Sequence, residues 1–251
     1  MATNFFKKIK RIRRRLIVPL FSFIKNSLNI VKKYALPDYK RPPSIYYMYE
    51  KEEIENCYNH FKKYFKNSLF LNTWILREHA IKKALANDKN REKTYVEFGV
   101  FSGASINFFS KYLKDKEIYG FDSFEGLKED WTGTSVTKGT FDLKKKVPKL
   151  NENVIPIQGW IDQTLPKFLD EKKPNINFMH IDVDTYETSK VILKLTKNFL
   201  EKGAIIVFDE FYNFPGWDVG EYKAFKEIFN ENDYKILSFA KDGQQVAIQI
   251  N

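Results

Sequence analysis

From Thr94 to the C-terminus the chain alternates short apolar runs with longer amphipathic ones, an order that few architectures accommodate. Runs at Tyr95–Phe98, Ile118–Phe121, Val154–Ile157, Ile176–Ile181 and Ala204–Phe208 have the length of buried strands, and helices are predicted at Ser105–Leu113, Leu165–Asp170, Thr188–Leu200 and Glu221–Asn230. Such alternation implies a parallel sheet with helices on both faces. Two further runs, Tyr234–Phe239 and Gln245–Ile250, are joined through Lys241, Asp242 and Gly243. A connection that short closes only an antiparallel hairpin. The expected fold is therefore α/β: a doubly wound, seven-stranded, mostly parallel sheet over residues 93–251, with an antiparallel last strand and helices at the N-terminal side.

Residues 37–92 are expected to form an accessory helical region, with helices from Glu50 to Phe65 and from Asn72 to Ala86. In residues 1–36, Phe5, Ile9, Ile12 and Leu16 recur at helical spacing among lysines and arginines, up to Pro19. A second stripe follows at Phe21, Ile24, Leu28 and Val31. The whole chain has 42 Lys+Arg, 32 Asp+Glu and a formal charge of +10. Ten of the bases and none of the acids fall in residues 1–33, which leaves 32 of each sign over residues 34–251. A body of zero formal charge is not a nucleic-acid-coating surface, so no nucleic-acid partner is expected. The basic segment over residues 4–34 is expected to lie against an anionic membrane, with a partner subunit or an organellar transit peptide as the other readings. Its longest uncharged run, Leu16 to Ile24, is too short to cross a bilayer. The expected location is cytoplasmic, peripheral at the inner face of the membrane. The single cysteine, Cys57, reads as a half-buried helix residue.

In open parallel sheets ligands bind beyond the carboxyl ends of the strands, and five such ends are legible here. The first is Glu97-Phe98-Gly99-Val100-Phe101-Ser102-Gly103, with Phe101 where a dinucleotide site needs glycine. Glu97 suits a ligand with a cationic amino-acid end. The second ends at Asp122, 23 residues after Gly99, where an acid accepts ribose hydroxyls. The third ends at Gln158-Gly159-Trp160, which offers an amide and a flat apolar wall for adenine; Trp160 as plain core is the competing reading. The fourth carries Asp182 and Asp184, and the fifth Asp209 and Glu210. Carboxylates aimed at one spot repel unless protonated or bound to a cation, and all-oxygen ligands select Mg²⁺, Mn²⁺ or Ca²⁺ over zinc. Asp184 reads equally as the cap of the helix that follows. His180 reads as a satisfied core histidine.

Taken together, these residues resemble a class I S-adenosylmethionine-dependent methyltransferase with its Rossmann-like sheet. Within that class they resemble the macrocin O-methyltransferase family of metal-dependent sugar O-methyltransferases. The likeness rests on Val96-Glu97-Phe98-Gly99-Val100, on Gly120 to Leu127, on Gln158-Gly159-Trp160 with Thr164-Leu165-Pro166, on Ile181 to Glu187 and on Ile206 to Phe211. It implies that Glu97, Gly99 and Ser102 hold the methionine end of the cofactor, Asp122 the ribose, and Ser123, Gln158 and Trp160 the adenine side, with Asp182 beside cofactor and cation. It implies a divalent cation, Mg²⁺ or Mn²⁺, on Asp182, Asp209 and Glu210. The expected substrate is a sugar or nucleotide sugar, with Asp184 or Asp182 as the base, and homo-oligomerisation is left open. Glu210 stands where family members often have aspartate, and Lys128 where they tend to have proline. Gly126 to Thr140 reads as a mobile cover over the substrate.

Two other classes are weighed against this reading. A nicotinamide-dependent sugar dehydrogenase or epimerase would also place an acid on ribose, but the middle glycine and a Tyr-x-x-x-Lys pair are missing. A membrane-associated binding module on an inactive methyltransferase-like fold would leave the strand-end acids unexplained.

Overall fold

The computed structural model describes residues 44–90 and 92–251. The chain falls into two units, Met1–Met48 and Tyr49–Asn251, and the fold set out below is that of the second. The basic stripe expected over residues 4–34 lies outside the described residues. Among the described residues no helix is long and apolar enough to cross a membrane.

In chain order the elements are α1 (Ile45–Phe65), β1 (Leu69–Leu71), α2 (Thr73–Asn87), β2 (Thr94–Phe98), α3 (Ala104–Leu113), β3 (Ile118–Asp122), β4 (Val154–Gln158), α4 (Ile161–Lys172), β5 (Ile176–Ile181), α5 (Tyr186–Thr196), β6 (Leu200–Phe208), α6 (Glu221–Ile228), β7 (Tyr234–Ala240) and β8 (Val246–Ile250). They build one sheet in the order β1-β7-β8-β6-β5-β2-β3-β4. All neighbours are parallel except β8, which runs against both β6 and β7. The doubly wound sheet with an antiparallel last strand is as expected, but it has eight strands rather than seven. The addition, β1, pairs with β7 at the sheet edge. Three residues between two helices are too few to show a strand's alternation, so only the partner strand reveals it.

Each strand of the sheet centre divides its side chains between two cores. Val96, Phe98, Met179, Ile181, Ile206 and Phe208 pack on the side that also receives α4, α5 and α6. Tyr95, Phe178, Ile205 and Val207 pack on the other, with Ile106 and Phe109 of α3 and Leu76 and Ala80 of α2. The period of two makes both faces apolar, as a sheet covered on both sides requires. The helix expected to reach Leu200 instead ends at Thr196, followed by a short 3-10 turn over Lys197–Phe199; Leu200 already belongs to β6, whose first residues extend past the apolar run. The second predicted accessory helix, α2, lies under the sheet and adds Leu76, Ala80, Ile81 and Ala84 to its core.

Candidate active site

A cleft of about 400 Å³ opens beyond the carboxyl ends of β2, β3, β4 and β5, within the size range of small-molecule sites. Its wall includes Gly99, Asp122, Ser123, Trp160, Asp182, Asp184 and Glu210. The wall thus combines one acid and one indole, Asp122 and Trp160, with a concentration of carboxylates.

Asp122 holds the turn that follows β2. Its Oδ2 accepts the N–H groups of Val100 and Phe101 at 2.8 and 2.7 Å, and its Oδ1 accepts that of Phe124 at 2.7 Å. Oδ1 retains a second lone pair for a hydroxyl donor. Gly99 is required by the protein itself: at φ +86°, a Cβ there would stand 1.7 Å from the carbonyl oxygen of Asp182 on the neighbouring strand. Ser123 lies in the cleft wall and its Oγ accepts the Glu125 N–H at 3.1 Å. Trp160 also lies in the wall, with the Lys128 ammonium 4.8 Å from its ring centre and 2.6 Å from Asp162. Lys128 therefore ties its own segment to the start of α4, which a proline could not do.

Three expected cofactor residues stand elsewhere. Ser102 is exposed and outside the cleft wall. Gln158 turns its amide to the carbonyl of Lys145 at 2.9 Å. Glu97 is fully buried beneath the cleft, with Oε1 accepting from Ser105 Oγ at 2.9 Å and Oε2 3.0 Å from His180 Nδ1. Glu97 and His180 are register partners on β2 and β5, which is why they meet.

The same chain of contacts continues to Asp209. His180 Nε2 is 3.2 Å from Asp209 Oδ1, which also accepts from Arg77 Nη2 at 2.6 Å and from Gln245 Nε2. Burial disfavours the charged imidazole, but the bonds to Asp209 and Glu97 outweigh it and raise the His180 pKa to about 9. Asp209 is held below the usual carboxylate range, since His180 and Arg77 outweigh its burial.

The acids expected to act together, Asp182, Asp209 and Glu210, are therefore not gathered as one set. Among the described residues two trios converge: His180, Asp182 and Asp209, and Asp182, Asp184 and Glu210. Asp209 is bonded to Arg77 on α2 and to His180, while Glu210 also lines the cleft with Asp182 and Asp184. In the second trio burial, then the charge of Asp209 and only after it the other acids of the trio, push Asp182 and Glu210 well above the usual carboxylate range, and burial with the charge of Asp209 brings Asp184 to about 7. Glu210 Oε2 is buried and accepts no hydrogen bond. Asp184 also has φ +63°, a left-handed backbone that costs a non-glycine residue on the order of 1–3 kcal/mol and recurs at functional sites. All-oxygen donors, an orphaned carboxylate oxygen and shared repulsion are what a hard divalent cation relieves, so the residues present fit one.

Part of the segment from Gly126 to Thr140 lines the cleft. Leu127 and Thr140 are joined by an N–H···O bond of 3.0 Å, and Leu127, Lys128 and Trp131 contribute to the wall. Trp131 packs edge-on against Phe214, with centroids 6.2 Å apart. Arg77, Gln245 and Glu221, all central to the site's electrostatics, escaped the sequence reading. Arg77 and Gln245 lie in no motif, and only the Gly220-Glu221 step at a helix start hinted at the third.

Residues 96–211 match a family described as a methyltransferase domain. Among solved structures the chain is similar to the calicheamicin methyltransferase CalS11, with a TM-score of 0.53 and 20% identity, covering 92% of this chain and 93% of that one. It is similar to the apo form of CalS11, described as a TDP-rhamnose 3'-O-methyltransferase, with a TM-score of 0.52 and 20% identity over 79% of this chain and 86% of the other. A third likeness is to the O-methyltransferase NovP, with a TM-score of 0.51 and 18% identity over 70% and 78% of the two chains. Among curated proteins it is 28% identical, over 160 residues, to the uncharacterized protein R132 of Acanthamoeba polyphaga mimivirus, covering 61% of this chain. The match spans 66% of that relative, just under two thirds of its length. The structural likenesses are at identities that speak for the fold alone, the Rossmann-like sheet of class I methyltransferases.

Proposed function

We propose that this chain is an S-adenosylmethionine-dependent O-methyltransferase that uses a divalent cation, Mg²⁺ or Mn²⁺, and acts on a hydroxyl of a sugar, as a nucleotide sugar or glycan precursor. The observation that carries the reading is one cleft whose wall holds both Asp122 and Trp160 and the convergence of Asp182, Asp184 and Glu210. The finer likeness to macrocin O-methyltransferases supports the sugar, as does the printed activity of the similar CalS11 structure. The methyltransferase-domain match supports the cofactor.

When bound, the cofactor supplies an electrophilic methyl group and the cation an electric field that makes a nearby hydroxyl more acidic. The chain's own residues do the rest. Asp122 would receive the ribose on the free lone pair of Oδ1, and Trp160 would cover the base. Asp182 and Glu210 would hold the cation, whose charge would offset the repulsion between them. Asp184 at their edge takes the proton from the acceptor oxygen; a carboxyl group poised near neutrality suits a general base. Trp131 and Lys128 exclude water from above. Glu97 acts from beneath the floor, steadying the turn after β2 through Ser105.

We also propose that residues 4–34 hold the enzyme at an anionic membrane surface, on the strength of ten bases without an acid in residues 1–33. The decisive experiment for the activity is incubation with S-adenosylmethionine and Mg²⁺ or Mn²⁺ against a panel of nucleotide sugars, read by the mass gain of one methyl group. Turnover that survives exhaustive chelation would remove the cation from the mechanism.

A further inference from the structure

Between Lys138 and Lys149 the chain has five lysines and one acid, Asp142, in a body whose residues 34–251 carry 32 charges of each sign. All five lysines are exposed. Lys145 is 3.3 Å from Glu125, and among the described residues the other four form no ion pair. Lysines alone would make this an ordinary solvated face. Here apolar side chains are exposed among them. Phe141 and Val147 are each 40% exposed, and Phe101, whose ring meets that of Phe141 edge-on at 5.2 Å, is 42% exposed.

Main-chain bonds fix the run at the carboxyl-end side of the sheet. The N–H groups of Leu143 and Lys145 donate to the carbonyl of Phe124, just past β3, at 3.2 and 2.9 Å. The Lys145 carbonyl accepts from Gln158 at the end of β4, and that of Lys149 accepts from Asn107 Nδ2 in the first turn of α3 at 3.0 Å. Phe101 and Phe141 also line the cleft, so the run borders its mouth. Phe101, Phe141, Lys144 and Lys145 have φ of +43°, +71°, +53° and +61°, a left-handed backbone that residues other than glycine rarely adopt. Burial offsets none of that strain, since all four residues are exposed. Backbone held in such a region recurs at segments that contact a ligand.

We propose that this rim is a lipid-contacting surface of the folded body: Lys138, Lys144, Lys146 and Lys149 meet anionic headgroups, Phe141 and Val147 enter the interface, and the mouth of the cleft is turned to the membrane. Lysines by themselves suit any polyanion. Aromatic and aliphatic side chains exposed between them suit a partner that is apolar beneath its charge. The surface is separate from residues 4–34 and does not rest on the membrane contact proposed for that segment.

The test uses the full-length chain and vesicles of phosphatidylcholine with and without phosphatidylserine. An environment-sensitive fluorophore is attached at Val147→Cys and, in a second protein, at Lys202→Cys near the amino end of β6; Cys57 is buried and stays unlabelled. Emission from position 147 is expected to shift to the blue on the anionic vesicles only, and that from position 202 to stay unchanged. Co-sedimentation is measured in a chain that also carries Arg13→Glu, Arg14→Glu and Arg15→Glu, which removes the contribution of the N-terminal segment. In that chain Lys144→Glu, Lys146→Glu and Lys149→Glu together are expected to weaken binding about a hundredfold, or about fivefold per lysine. Lys173→Glu, Lys194→Glu and Lys202→Glu, an equal change of charge at the amino-end side of the sheet, are expected to weaken it by less than about fivefold in all. Equal losses from the two triples, or no blue shift at position 147, would overturn the proposal. So would affinity for a single-stranded oligonucleotide that falls with the first triple while vesicle binding does not, which would assign the lysines to a polyanion in solution.

Discussion

Arg77 Nη2 lies 2.6 Å from Asp209 Oδ1, and that contact decides which of the strand-end acids remain for a ligand. Arg77 on α2 and His180 on β5 both attach to Asp209, so this acid is balanced within the protein. The acids of the cleft, Asp182, Asp184 and Glu210, are not.

Removing the arginine should therefore damage stability before chemistry. Arg77→Met leaves Asp209 with one cation and should cost about 3–5 kcal/mol, the range for a broken buried ion pair. Urea unfolding checks it, and a loss below about 1 kcal/mol would mean that Gln245 and His180 suffice.

Asp184→Asn should lower turnover by about 10²–10⁴-fold, the contribution of a positioned general base. Binding of S-adenosylhomocysteine, followed by calorimetry, should be unchanged. Undiminished turnover in that variant would assign the proton to another group.

Two glycines of similar backbone separate strain from crowding. Gly139 has φ +82° and nothing within 4 Å of a Cβ, so Gly139→Ala should cost about 1–2 kcal/mol for the left-handed backbone alone. Gly99→Ala adds a Cβ 1.7 Å from a main-chain oxygen and should prevent folding or cost several times as much. Thermal melts of both variants make the comparison.

Acid sensitivity should trace in part to Asp88. Its Oδ2 is 2.6 Å from Lys116 Nζ and accepts from Tyr95 Oη at 2.9 Å, with the Asp88 side chain 1% exposed. Burial works against the carboxylate, but the bonds from Lys116, Tyr95 and Lys93 outweigh it and hold the pKa below its ordinary value. A folded pKa below the unfolded one means stability that is present above about pH 4 and lost as the pH falls through the folded value. Urea midpoints between about pH 2 and pH 6 should fall less steeply in Asp88→Asn than in the wild type.

Vesicles test the basic N-terminus. Reversing Arg13, Arg14 and Arg15 to glutamate in the full chain should weaken co-sedimentation with anionic vesicles about a hundredfold or more, at about 1 kcal/mol per basic residue. Unchanged sedimentation would move that segment to another partner.

The sequence by itself determined the strand and helix order from Thr94 onward, the parallel sheet and its reversed last strand, because side-chain periodicity and loop length are local properties. It also placed Asp122, Trp160, Asp182 and Asp184 at strand ends, where this fold puts its cleft. Only the tertiary structure decided which strand-end acids act together. Glu97 and Asp209 look like ligand residues in the chain, yet His180 draws both into a buried network completed by Arg77 and Gln245, 132 and 36 positions from Asp209. Charge balance in a buried site is set by which partners the packing brings within about 3 Å, and no motif records a partner that distant in sequence. The edge strand β1 was hidden for the same reason, since three residues become a strand only through the β7 partner that pairs with them.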